Sequence, residues 1–322
     1  MSAPRARGSW RRRAAPGGWL LVVLGVLAGC RTDPRVASPS LPDGNTFIVA
    51  GQRFDAGTPV VTWLAPEGYN AYASALPNHG RRMFDGQKPT DPAPSLGALR
   101  RHLDQFVLHY DTVGVSRACF QVLQRRGLSA HFLLDVDGTI YQTLDLQERA
   151  WHAGSSNDRS IGIEMASLGA YPPDAAGILS NWYRREPTGQ VRLVPPASVG
   201  NPRLRTPDFR GRPQRPDAVR GRIHGQDLVQ YDFTPEQYAA LIKLTAALHR
   251  VFPRIELDYP RDDQGRLVEG KLPDEALAKF RGVLGHYHLQ FNKVDPGPAF
   301  QWDPVINGAR REQPSARKPD QP

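Results

Sequence analysis

The chain has 322 residues, with 41 lysines and arginines against 32 acids, and a mean hydropathy of −0.48. Five of the basic residues (Arg5, Arg7, Arg11, Arg12 and Arg13) precede Cys30 and no acid does, so the chain from Cys30 onward carries 36 basic and 32 acidic side chains. That near-balance, with no interleaved basic-aromatic patch and no RNP-like or finger motif, argues against a nucleic-acid partner. Only two cysteines occur, Cys30 and Cys119, so no disulfide framework is expected, and the length suffices for a hydrophobic core without one.

The N-terminus reads as a targeting segment. A basic stretch, MSAPRARGSWRRR, precedes the ten-residue apolar run WLLVVLGVLA at 19–28. A spanning helix needs about 20 apolar residues, so the run has the length of a signal-peptide core. It ends in Leu27-Ala28-Gly29-Cys30. Small residues before a cysteine resemble the bacterial lipoprotein cleavage box. Residues 1–29 are therefore expected to be a lipoprotein signal peptide, and Cys30 the acylated first residue of a membrane-anchored chain. An ordinary secretory signal with a coincidental cysteine is the alternative. Arg31, in place of an aspartate, points to the outer membrane facing the periplasm.

Residues 30–97 are expected to form a tether and an N-terminal extension. Residues 31–45 are rich in Pro, Ser and Asp. TFIVAGQRF (46–54) and PVVTWL (59–64) are strand-like, and the intervening DAGT predicts a hairpin between them. The main domain is expected over 98–303. FVLHY (106–110) predicts a strand. SRACFQVLQRR predicts a helix over 116–126 that stops at Gly127, with Cys119 as a small buried residue rather than a nucleophile. HFLLDVDGTIYQTLDL carries two β-rich runs around Asp137-Gly138, a hairpin signal. SIGIEM (160–165) predicts a buried strand. Residues 171–230, rich in Pro, Gly and Arg, predict a long insertion covering one rim of the site. Over 234–252, Thr234 is an N-cap, Pro235 sits at N1, and Leu241, Leu244 and Leu248 form one stripe. PDEALAKF (273–280) predicts a short helix leading into the strand-like VLGH (283–286). Residues 304–322 read as a disordered tail. Alternating strands and helices predict an α/β fold with a mixed central β-sheet flanked by helices.

The chemistry is spread over separated segments. His109 and Glu164 end strand-like runs. His286 follows Leu-Gly, and Asp295 lies nine residues later, fixed by the turn at Pro296-Gly297. Two imidazoles and a carboxylate, with a glutamate and a lysine, are the inventory of a zinc hydrolase with one open metal position. His288 competes with His286, because two residues along an extended strand share a face. Gly285, which permits close backbone approach, favours His286. His102, His131, His224 and His249 read as structural or surface residues.

Taken together, FVLHY, SAHFLLDVDGTIYQ, RAWHAG, SIGIE and KVDPGPAF resemble the zinc-dependent N-acetylmuramoyl-L-alanine amidases of the type 2 family, which includes phage amidase lysozymes and peptidoglycan recognition proteins. The resemblance covers roughly residues 101–303. It is nearest to the branch acting on muropeptides in Gram-negative bacteria, lipoprotein members included. It implies a Zn²⁺ cofactor held by His109, His286 and Asp295, with Glu164 as general base and Lys293 as oxyanion donor. Ala130 stands where some relatives have a catalytic tyrosine, which matches the glutamate-using branch. Trp151, His152 and Asn157 are the expected substrate-binding residues, His152 with the alternative of orienting a ligand. The implied activity is hydrolysis of the bond between N-acetylmuramic acid and L-alanine in peptidoglycan or muropeptides. The alternative is a peptidoglycan-binding protein of the same fold without activity.

Overall fold

The computed structural model describes residues 44–73, 84, 87–88 and 91–314. The segment expected to be a signal peptide, Cys30 and the expected tether up to residue 43 lie outside the described residues. Among the described residues no helix is long and apolar enough to cross a membrane.

In chain order the strands and α-helices are β1 (Thr46–Val49), β2 (Gln52–Asp55), β3 (Val60–Thr62), α1 (Leu96–His102), β4 (Gln105–Tyr110), α2 (Ser116–Arg125), β5 (Phe132–Leu134), β6 (Ile140–Gln142), β7 (Ser160–Met165), β8 (Tyr183–Arg185), β9 (Val191–Leu193), β10 (Val219–Ile223), β11 (Gln226–Gln230), α3 (Pro235–Val251), α4 (Asp274–Lys279), β12 (Gly282–Gly285) and α5 (Trp302–Arg311). Six strands form the central sheet in the order β12-β4-β7-β5-β6-β3. All neighbours run parallel except β5 and β6, which form the hairpin turning at Asp137-Gly138. The fold is thus α/β with a mixed central sheet.

Alternation along the strands divides the core. Phe106, Leu108, Phe132, Leu134, Ile161 and Ile163 point to one face, where α3 lays Leu241, Leu244 and Leu248 and α5 lays Val305 and Ile306. Leu133 and Tyr141 point to the other face and meet Cys119 and Leu123 of α2. Val107 and Leu284 meet Leu277 of α4 on that same side. Helix α3 starts on a full capping box: Thr234 Oγ1 accepts the Gln237 N–H at 3.1 Å, and Gln237 Oε1 accepts the Thr234 N–H at 3.0 Å.

Three expectations need correction. The N-terminal hairpin turns at Ala50-Gly51, inside TFIVAGQRF, and not at DAGT. The short run after DAGT instead becomes β3, an edge strand of the central sheet beside β6, so the expected extension supplies part of the domain. The tail expected from 304 opens within α5, where Val305, Ile306 and Ala309 are buried, because its i, i+1, i+4 apolar set fits a helix face that the Pro- and Arg-rich composition masks.

The insertion is also more ordered than its composition predicts. It contains two hairpins, β8–β9 and β10–β11, and its Leu179, Trp182, Tyr183, Val191 and Leu193 pack in one apolar cluster with Val115, Val136, Ala166 and Leu168.

Candidate active site

Strands β12, β4 and β7 are adjacent and parallel, and their carboxyl ends open on one side of the sheet. There they border a cavity of about 680 Å³. Such ends are where loops on a rigid base gather ligands. His109 sits on β4 and Glu164 at the same register position of β7. His286 immediately follows β12, in a 3₁₀ turn spanning His286–His288. Asp295 arrives on the loop after that turn. A side chain on Gly285 would bring a Cβ to 2.7 Å from Pro296 Cδ, so glycine here lets the Asp295-Pro296 segment close onto β12.

Three donor atoms converge. His109 Nδ1 lies 3.0 Å from His286 Nδ1 and 2.9 Å from Asp295 Oδ2, and His286 Nδ1 lies 3.1 Å from Asp295 Oδ2. Among the described residues this is the one group of three such side chains close enough to share a metal ion. Donors around a tetrahedral Zn²⁺ with bonds of about 2.0–2.1 Å stand roughly 3.3 Å apart, so the triangle fits the ion with little adjustment. Its chemistry fits as well. Burial, and secondarily His286, push the His109 pKa down to about 4, keeping the imidazole neutral. Burial would raise the Asp295 pKa, but the charge of His286 and hydrogen bonds from both histidines hold it well below the usual carboxylate range.

His288 does not join this group. In a 3₁₀ turn, residues two apart point in different directions, unlike those of an extended strand. Its Nδ1 accepts the Gly285 N–H and its Nε2 donates to the Val268 carbonyl, each at 2.9 Å. Both ring nitrogens are thus spent on structure.

Glu164 is partly exposed, opening into the cavity. Its pKa is raised well above the ordinary value, by burial first and then by the negative charges of Asp295 and Asp111, with Lys293 and Arg126 pulling the other way. Lys293 lines the same cavity, two residues before Asp295. Trp151, His152 and Asn157 line it too. The Arg149 guanidinium lies 4.4 Å from the centre of the Trp151 ring. Asn157 Oδ1 accepts the backbone N–H groups of His152 and Ala153, at 3.0 and 2.7 Å, so part of this side chain holds the RAWHAG loop in shape. His152 Nδ1 lies 2.9 Å from His109 Nε2.

Sequence reasoning missed Arg126, Gln290 and Asn292, all of which line the cavity. The last two occupy the stretch between His286 and Asp295, whose position alone was a usable signal. No residue of 171–230 lines the cavity, which corrects the expected rim. The insertion instead supports the Asp295 loop from outside. Gln230 Nε2 donates to the Pro296 carbonyl at 3.0 Å, and Gln230 Oε1 accepts the Ala299 N–H at 2.9 Å. His224 Nε2 lies 3.1 Å from the Lys293 carbonyl.

Residues 99–190 match the family model for N-acetylmuramoyl-L-alanine amidase. The match takes in His109, Trp151, His152, Asn157 and Glu164 and ends before His286, Lys293 and Asp295. No curated protein matches the chain. Among solved structures, the chain is similar to the E. coli N-acetylmuramyl-L-alanine amidase AmiD in complex with anhydro-N-acetylmuramic acid-L-Ala-D-γ-Glu-L-Lys, at 19% identity and a TM-score of 0.35, over 71% of this chain and 62% of that one. It thus spans less than two thirds of the AmiD chain. It is also similar to AmpD (18%, TM-score 0.33, over 74% and 98% of the two chains) and to Drosophila peptidoglycan recognition protein SD (16%, TM-score 0.31, over 76% and 90%).

Proposed function

We propose that this chain is a zinc-dependent N-acetylmuramoyl-L-alanine amidase. It cleaves the amide between the lactyl group of N-acetylmuramic acid and L-alanine in peptidoglycan or muropeptides. The observation that carries the reading is the convergence of His109 Nδ1, His286 Nδ1 and Asp295 Oδ2 beside Glu164, on a chain whose residues 99–190 match the amidase family. Zn²⁺ held by these three side chains would supply Lewis-acid activation at neutral pH.

The remaining work falls to the chain's own groups. Glu164, with its raised pKa, takes a proton from the attacking water as that oxygen bonds to the amide carbon. Glu164 then delivers the proton to the alanine nitrogen as the C–N bond breaks, and the second water proton follows from the new carboxyl, leaving a lactyl carboxylate and an ammonium group on alanine. The Lys293 ammonium stabilises the negative charge on the former carbonyl oxygen. Trp151 and the loop held by Asn157 wall the cavity that receives the substrate.

The test is product analysis on defined muropeptides, using the chain purified without its first 30 residues. Mass spectrometry should show free stem peptide, release should stop under chelation, and added zinc should restore it. Unchanged release under chelation would remove the zinc reading.

The proposal extends to the envelope. A lipid anchor at Cys30 would hold the enzyme at the outer membrane, facing the periplasm. The motivating feature is Leu27-Ala28-Gly29-Cys30 after the apolar run. Cys30→Ala should release the protein from the membrane fraction; a variant still in that fraction would exclude the anchor.

A further inference from the structure

The backbone after Asp295 runs through Pro296-Gly297-Pro298-Ala299, and a single side chain from β11 bridges it. Gln230 Nε2 donates to the Pro296 carbonyl at 3.0 Å, and Gln230 Oε1 accepts the Ala299 N–H at 2.9 Å. Gln230 is fully buried, so both bonds are made away from competing water. Neither Pro296 nor Pro298 has an N–H to donate, so the segment has few bonds of its own to hold it. The Phe300 N–H closes a turn on the Gly297 carbonyl at 3.2 Å, with Pro298 at its second position. Gly297 has φ +90°, and a Cβ there would collide with Gln230 Oε1, so glycine makes room for the amide. The same hairpin touches the loop at two more points. Strands β10 and β11 join through His224-Gly225, both at positive φ, as a tight two-residue hairpin turn requires. At this tip His224 Nε2 lies 3.1 Å from the Lys293 carbonyl, which can only accept. On β10, a Cβ on Gly221 would stand 2.6 Å from Pro298 Cβ, so glycine leaves the strand bare where Pro298 seats.

We propose that Gln230 is a positioning residue for Asp295, and that the β10–β11 hairpin is thereby a working part of the metal site. The inference rests on the reading of the triangle as a zinc site. Asp295 stands between two holds. On one side its carbonyl accepts the Tyr287 N–H at 3.2 Å, and Gly285 lets Pro296 close onto β12. On the other side Gln230 grips the residue that follows it. Only two side-chain torsions separate the Asp295 backbone from Oδ2, so the ligand atom goes where this backbone goes. A zinc–oxygen bond of about 2.0–2.2 Å tolerates a shift of only about 0.2 Å. The two histidines need no such brace. His109 lies within β4 and His286 follows β12 directly, so the sheet fixes both. Asp295 is the ligand carried on a loop, and the insertion supplies the support that the sheet cannot. No residue of 171–230 lines the cavity, so this contribution passes through the backbone of 293–299.

The test uses the full-length protein, zinc competition against a chromophoric chelator, and amide hydrogen exchange of the metal-free form. Q230M keeps the length and bulk of the side chain and removes both hydrogen bonds. It should lower zinc affinity about 10–100-fold, the usual loss when a ligand's outer support goes. Exchange of the Ala299 N–H should quicken about tenfold. I306A is the control for stability: it weakens the core on α5, does not touch the cavity lining, and should bind zinc as the wild type does. A folded Q230M binding zinc as tightly as wild type would overturn the proposal. So would an equal loss of affinity in I306A. If Q230M does not fold, H224A decides, because His224 is half-buried at the hairpin tip. It should lower zinc affinity about 2–10-fold, and an unchanged affinity overturns the hairpin's role. A wild type that binds no zinc would remove the functional reading. The exchange of Ala299 in Q230M would still judge the clamp, and an unchanged rate would refute it.

Discussion

Glu164 stands beside His109 at the same register position of neighbouring parallel strands, so both side chains leave the same face of the sheet. The proposed base and a proposed metal ligand are therefore spaced by the sheet itself and not by a loop. Their separation has little freedom to vary.

Glu164→Gln should keep the metal and lose the base. Turnover of a muropeptide is expected to fall about 10²–10⁴-fold, with zinc stoichiometry unchanged. Full activity in this variant, measured at the same zinc occupancy, would move the base elsewhere.

In the proposed mechanism Lys293 bears on both the oxyanion and the base. Lys293→Met should lower turnover about 10²–10³-fold through loss of one charge-stabilising donor. Lys293 also pulls the raised Glu164 pKa downward, so its removal should shift the acid limb of the pH–rate profile to higher pH. A variant with an unmoved acid limb would separate Lys293 from Glu164.

Asp135 makes a testable linkage. Burial raises its pKa from 3.8 to about 7, and its Oδ2 is buried without a partner among the described residues. The folded chain therefore holds a proton, between those pH values, that the unfolded chain releases. This contribution to stability is present below about pH 4 and is lost as pH rises to about 7. Relative to Asp135→Asn, the wild type should lose on the order of 4 kcal/mol across that interval, read from denaturant midpoints. Parallel curves for the two proteins would refute the assignment.

Helix α5 is part of the core. Ile306 is fully buried against the sheet face that α3 covers. Ile306→Ala should cost about 2–5 kcal/mol in equilibrium unfolding. A loss below about 0.5 kcal/mol, the range of surface substitutions, would return this segment to the status of a tail.

Much of the sheet was legible because its strands are short apolar runs with clear stops. FVLHY, SIGIEM and the runs around Asp137-Gly138 follow their patterns, and α3 follows its cap and stripe. The site was legible in its residue types, since two histidines and an aspartate beside Pro-Gly are unusual company. What composition hid was context. β3 is only three residues long, and nothing local says that it pairs with β6 rather than with the strand before it. The insertion's arginines and prolines masked a small core that depends on Trp182 and Tyr183 meeting Val191 and Leu193 across a hairpin. His288 competes with His286 only on an extended strand, and the 3₁₀ turn at His286–His288 removes that competition.

The donor triangle also sets an order of events. His109 is separated by 177 residues from His286 and by 186 from Asp295. A nascent or truncated chain ending before residue 286 owns a single donor of the three and has no selective hold on a divalent ion. Metal capture by the proposed site would thus report a finished molecule: the ion would be recruited only after the two distant ends of the domain had met, and its presence would certify that they had.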